Sequence, residues 1–279
     1  MSRIYLDIIR ATYRMVKEDQ MKNVVVLSCW FGYKFNKPLK ITSLSTCKQW
    51  LYANIKNLLP FRVLNGLGFI SIIPQAPNGM ENCYFYSNNK RLKAEVAFKG
   101  WQFCFIESKI DNGESIASSL LAKKVKFLQI DDANFIHVDH IIYMDSRRVS
   151  DDIFKMIQMN IKGILLRYEA KFKPSIWHEV EEGKGQERYA KHMDKTVDFI
   201  NTKLKKGYCA NNRVMNTGII AYAMHASDST IRSLCDEVYN ACVTLEQPEC
   251  QILWCLLSQP YNDIIQAVES SEIKIRSGL

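Results

Sequence analysis

The sequence predicts an α/β fold built on a mainly parallel central sheet flanked by helices, and three observations carry that reading. The stretch NVVVLSC at 23–29 is apolar and β-branched without alternation, as suits a parallel strand covered on both faces. Similar short runs alternate with helical periodicities through the first half, the pattern of a parallel sheet joined by crossovers. The composition, 47% hydrophobic and 24% charged with only 12 Gly and 7 Pro, is that of a packed chain without linker or low-complexity tail. Residues 1–279 therefore read as one domain, a size that α/β enzymes reach on a single sheet.

The elements follow in order. Ile4, Tyr5, Ile8, Ile9, Tyr13 and Val16 fall at helical spacing, as a core-packed helix or, in the other reading, a membrane-surface anchor. Charges throughout this stretch argue against a signal peptide or a membrane span. The 23–29 strand ends at Trp30-Phe31-Gly32. Ser45 is placed to cap a helix whose inward face is Cys47, Trp50, Leu51, Ile55 and Leu58, with Pro60 just beyond its end. Gly66–Pro77 is apolar but punctuated by Gly and Pro, and takes no assignment. Cys83–Ser87 and Gln102–Ile106 read as short strands, Ser115–Lys123 as a helix and Ile141–Asp145 as a strand. Asp151–Ile161 reads as helix, Gly163–Tyr168 as strand, Gln186–Lys206 as strongly helical and Val214–Tyr222 as strand. Helices at Thr230–Leu245 and Pro248–Leu257 close the chain.

The net charge of +8 is unevenly placed: residues 1–140 hold 19 Lys and Arg against 11 Asp and Glu, whereas 141–279 hold 18 of each. A basic half fits a phosphate-bearing ligand, a nucleic acid or an anionic membrane surface, and charge alone does not choose among them. The absence of an RNA-binding aromatic motif or an Arg-rich run argues against nucleic acid. The nine cysteines are odd in number, lack a Cys-x-x-Cys pair and lie mostly in apolar runs. Reduced, buried thiols in a cytoplasmic setting explain them better than disulfides or a zinc site.

The sharpest local signal is IIYMDSRR at 141–148. An apolar strand delivers Asp145 to its carboxyl end, the edge where open α/β sheets bind ligands. A carboxylate there can hold a divalent cation, Mn2+ or Mg2+, that neutralises a diphosphate. The other reading is an aspartate capping the next turn, and spacing does not decide between them. His178-Glu179-x-x-Glu182 is not a zinc-protease motif, since position 182 is Glu. His137 and His140 read as structural. No phosphate-binding glycine loop or Gly-x-Ser-x-Gly elbow is present.

Tyr86-Ser87-Asn88 follows the second strand, Lys124-x-Lys126-Phe127-Leu128 precedes the key strand, and Tyr143-Met144-Asp145 ends it. That order of motifs resembles a family of nucleotide-diphospho-sugar glycosyltransferases of the GT-A, Rossmann-like type. Trp177-His178-Glu179, Asn216-Thr217-Gly218 and Glu246…Glu249-x-Gln251-Ile252-Leu253-Trp254 continue the match, which spans about 22–258. It is most similar to small chlorovirus enzymes that decorate capsid glycans, among them a xylosyltransferase-like one, which would put the chain in a host cytoplasm. The resemblance implies a UDP-sugar donor bound by the first half, about 22–150, through Tyr86, Asn88, Lys124, Lys126, Asp145, Ser146 and Arg147. It implies a glycan acceptor on the second half, about 151–260, near Asn216, Thr217, Gly218 and Gln251. Asp145 would hold the metal, and Glu249, Glu246 or Glu179 would take the acceptor proton.

The chain departs from the family where a second acidic residue is expected, because Asp145-Ser146-Arg147 stands in place of Asp-x-Asp. Arg147, Arg148 or Lys124 could then neutralise the diphosphate directly. The competing reading is a non-catalytic phosphate- or nucleic-acid-binding module.

Overall fold

The computed structural model describes residues 23–33, 72–113, 115–131, 137–224 and 228–276, with isolated positions at 21, 47, 51, 54, 55, 58, 59, 63 and 135. The helix expected over Ile4–Val16, most of the Ser45-capped helix and the 66–71 stretch lie outside the described residues. The described strands are β1 (Val24–Cys29), β2 (Cys83–Ser87), β3 (Gln102–Phe105), β4 (His140–Met144), β5 (Ile164–Tyr168), β6 (Met215–Ala223) and β7 (Ile265–Val268). They form one seven-stranded sheet in the order β3-β2-β1-β4-β6-β5-β7.

All six residues of β1 are buried, because both faces of the sheet are covered. Val25, Leu27 and Cys29 join one apolar cluster with Ile141, Tyr143, Ile220 and Tyr222. Val24 and Val26 join the opposite cluster with Ile142, Met144, Leu92 and Val96. This double burial erases the alternation that would mark a half-exposed strand.

Helices α1 (Lys93–Phe98), α2 (Ile116–Leu128) and α3 (Ile153–Met159) belong to the first part of the chain. Helices α4 (Ile176–Lys184), α5 (Glu187–Ala190), α6 (Met193–Leu204), α7 (Asp228–Thr244) and α8 (Cys250–Leu257) follow. Ser115 caps α2 by accepting from the Ser118 N–H at 3.0 Å. Helix α2 is tied to α8 by stacked rings of Phe127 and Trp254, 5.8 Å between centroids. Among the described residues no helix is long and apolar enough to cross a membrane. The nine cysteines are free thiols, most of them buried, with Cys47 and Cys209 exposed.

Three features were not read from the sequence. The sheet is mainly parallel as expected, but β6 runs antiparallel to both β4 and β5. The helix expected over Gln186–Lys206 is two helices, α5 and α6, broken at His192 with its non-helical φ −121° and ψ 16°. Helices α1 and α4 and strand β7 had no periodicity signal of their own. In α4 the inward positions are Ile176, Glu179, Val180 and Gly183, so the buried stripe carries a carboxylate and a glycine instead of an apolar run.

Candidate active site

Strand β4 ends at Met144 and sets Asp145 at the carboxyl edge of the parallel strands. Because β6 is antiparallel, its first residues lie at the same edge, and the Asp145 N–H donates to the Gly218 carbonyl at 2.7 Å. The Arg148 N–H then donates to the Asp145 carbonyl at 2.7 Å, turning Ser146–Arg148 across the edge. The result is an open cavity of about 640 Å³ lined by Trp30, Lys123, Tyr143, Asp145, Arg147 and Arg188. A second cavity of about 420 Å³ shares Lys123, Asp145, Arg148 and Arg188 and extends to Glu179, Thr217 and Glu249. The two form one continuous cleft.

Its centre is a charge pair. Lys126, 1% exposed, lies 3.3 Å from Asp145 Oδ1, and the Tyr143 hydroxyl donates to the same oxygen at 2.9 Å. The Lys126 ammonium also sits 3.8 Å from Cys250 Sγ and over the Tyr143 ring. Burial disfavours a charged Asp145, but Lys126, Lys123 and Arg148 outweigh it and hold the carboxyl below the usual aspartate value. At Lys123 burial likewise opposes charge, and the acidic groups facing it, Cys250, Asp145, Tyr189 and Glu249, raise its pKa above the ordinary lysine value. Both groups are therefore ionised at neutral pH.

The second cavity carries the carboxylates. Glu179 is buried and bonded by Lys173 and, at 3.0 Å, by Gln251 Nε2. Lys173 also reaches Glu182 at 2.7 Å. Glu249 caps α8 by accepting from the Gln251 N–H at 3.3 Å. Burial first, and the Glu179 charge second, push Glu249 above the usual glutamate value, which suits a proton acceptor. The Asn216 amide donates to Glu169 at 2.6 Å, and its oxygen accepts from the Gly218 N–H at 2.8 Å. A Cβ at Gly218 would come within 2.4 Å of Arg148 Cδ, so glycine there lets the arginine lie across β6.

The cleft gathers Asp145, Ser146, Arg147, Lys126, Glu179, Glu249, Thr217 and Gln251 from the sequence-derived set. Four others are placed elsewhere. Asn88 is buried beside Gly32, accepting its N–H at 2.8 Å and donating to the Ser108 and Ile110 carbonyls. Tyr86 is buried in the core. Lys124 is exposed and lines neither cavity, since residues two apart on a helix do not share a face. Glu246 lies on the surface, paired with Lys195 at 3.3 Å and His192 at 3.5 Å.

Lys123, Arg188 and Tyr189 were missed by sequence reasoning. The i,i+3 spacing of Lys123 and Lys126 on α2 was the available signal. Arg188 and Tyr189 gave none, because the short helix α5 that carries them was read as part of one long helix.

A divalent cation, which the resemblance implies, would find Asp145 already bonded by Lys126 and Tyr143. Among the described residues no three His, Cys, Asp or Glu side chains gather as a metal site. A single strand-end carboxylate with one oxygen already taken is a poor donor set for that ion.

No protein-family profile and no curated protein matches the chain. Among solved structures, the apo form of mouse xyloside xylosyltransferase 1 is similar over 89% of this chain and 86% of that one, with TM-score 0.41 and 9% identity. A mannose-1-phosphate geranyltransferase from Thermus thermophilus is similar over 91% of this chain and 76% of that one, with TM-score 0.33 and 11% identity.

Proposed function

We propose that the chain is a GT-A-like glycosyltransferase that moves a sugar from a nucleotide diphosphate to a glycan acceptor. The observation that carries this reading is the continuous cleft, with cations around Asp145 at one end and the carboxylate of Glu249 at the other. The basic end suits a diphosphate. Trp30 offers an aromatic wall for a base. In the reaction the C1–O bond to the diphosphate breaks and the electron pair leaves with the phosphate oxygen. The acceptor hydroxyl oxygen bonds to C1, and its proton passes to the Glu249 carboxylate. Asp145, held charged by Lys126, orients groups at the donor end, while Thr217 and Gln251 border the acceptor end.

Within that class, a UDP-sugar donor, with UDP-xylose first among the candidates, is the finer reading that the motif order favours.

A thermal-shift panel of UDP-, GDP-, CDP- and dTDP-sugars tests it, since a ligand selective for the folded chain raises the melting temperature. One nucleotide sugar should raise it and be slowly hydrolysed without acceptor. A shift without any hydrolysis or transfer would favour the phosphate-binding module instead, and no shift with any of them overturns the reading.

A further inference from the structure

We propose that the diphosphate in this cleft is neutralised by the protein's own cations, with the Lys126 ammonium standing where a divalent metal would bind. This rests on the transferase reading and concerns how the same site handles charge. Four facts carry it.

Asp145 is the carboxylate at the strand end, and its Oδ1 already takes the Lys126 ammonium at 3.3 Å and the Tyr143 hydroxyl at 2.9 Å. A metal on the other carboxylate oxygen, Oδ2, would share Asp145 with a lysine that is 1% exposed. That buried ammonium and the dication would repel each other with little water to screen them.

The two residues after Asp145 add no ligand. Ser146 is a weak one, and Arg147 brings a positive charge, so Asp145 is the one carboxylate at this turn.

The cleft meanwhile holds its own cations. Lys123, Arg147, Arg148 and Arg188 line the larger cavity against Asp145 and Glu187, and Arg148 is paired with Glu169 at 3.5 Å. Asp145 is offset by Lys126, which leaves a surplus of positive charge for a diphosphate. Guanidinium groups suit phosphate oxygens because they form paired, charge-assisted hydrogen bonds.

Finally, the cation nearest the centre is positioned independently of any ligand. Lys126 and Lys123 are one turn apart on α2, and the Phe127–Trp254 stack fixes that helix against α8. A pre-positioned ammonium pair loses little on ordering when the leaving diphosphate gains charge.

Calorimetric titration with UDP, GDP, CDP and dTDP, each in EDTA and again in manganese, tests the idea on wild type, Lys123→Gln and Arg147→Ala. Uridine serves as the control without phosphate. At least one nucleoside diphosphate should bind with an affinity that changes by less than about twofold between EDTA and manganese, and Lys123→Gln should weaken it by about tenfold or more. Arg147→Ala, at an exposed position, should weaken it by a smaller factor without disturbing folding, while uridine binding stays the same in all three proteins. Binding that appears only with manganese overturns this inference and leaves the transferase reading standing. Equal binding by both variants and wild type overturns it too. If no nucleoside diphosphate binds under either condition, the transferase reading fails and this inference fails with it.

Discussion

Lys126 on α2 and Asp145 at the end of β4 form an ion pair of 3.3 Å in which the lysine is 1% exposed and the carboxylate 36%. The pair is asymmetric: water reaches the aspartate, whereas the ammonium depends on Asp145, Cys250 and the Tyr143 ring for its solvation. A buried charge without its partner is costly, so the aspartate has a structural role alongside any part it plays in transfer.

Asp145→Asn should consequently destabilise the fold by about 2 kcal/mol, less than a fully buried pair because the carboxylate is partly solvated. The added change Lys126→Met should restore most of that loss, because the uncompensated ammonium is removed. Transfer should fall on the order of a hundredfold in Asp145→Asn and stay low in the double variant. Calorimetric melting and sugar transfer on the same preparations check both parts. Near-normal transfer by Asp145→Asn would remove the aspartate from the site.

Glu249 gives a prediction in pH. A proton acceptor works only when deprotonated, and its pKa is raised by burial and by Glu179. The acid limb of the transfer rate should therefore lie above the ordinary glutamate value of about 4.3. The stability sign follows from the same shift. Folded Glu249 binds its proton more tightly than the unfolded chain does, so its contribution favours folding below the unfolded value. That contribution is lost as pH rises through the raised folded value. Glu249→Gln should flatten the acid limb, cut transfer by roughly a hundredfold or more and leave melting at pH 7 unchanged or higher. A wild-type acid limb that survives in Glu249→Gln would assign the titration to another group.

At Glu246 the backbone decides. Its φ is 53°, and its N–H donates to Val243 O at 3.1 Å while the Gln247 N–H reaches Cys242 O at 2.9 Å. This is a Schellman ending of α7 with a glutamate where glycine is favoured. Glu246→Gly should stabilise the chain modestly, raising the urea midpoint, less what the exposed pairs to Lys195 and His192 contribute. Sugar transfer should be unaffected, because the residue lines neither cavity. A large loss of transfer would return Glu246 to the site. Urea denaturation beside a transfer assay makes the comparison.

The strands and the strand-end aspartate were legible in the sequence because they are local. An apolar run such as NVVVLSC reports double burial directly, and the step from Met144 to Asp145 marks where that burial stops. The helix starting at Ser115 and the one beginning after Pro248 were legible for the same reason. What the chain alone did not decide was direction and facing. A strand's pattern of side chains reads alike whichever way it runs, so the antiparallel course of β6, which brings Thr217 and Gly218 beside Asp145, came only from the fold. Lys123 and Lys124 are neighbours in sequence, yet about 100° of helical rotation sends one into the cleft and the other to solvent. Glu246 and Glu249 are three residues apart, and the turn between α7 and α8 leaves the first on the surface and draws the second into the cleft that Glu179 also lines. In each case the outcome depends on which neighbouring element covers the side chain, and that is a property of the packed structure that no local pattern encodes.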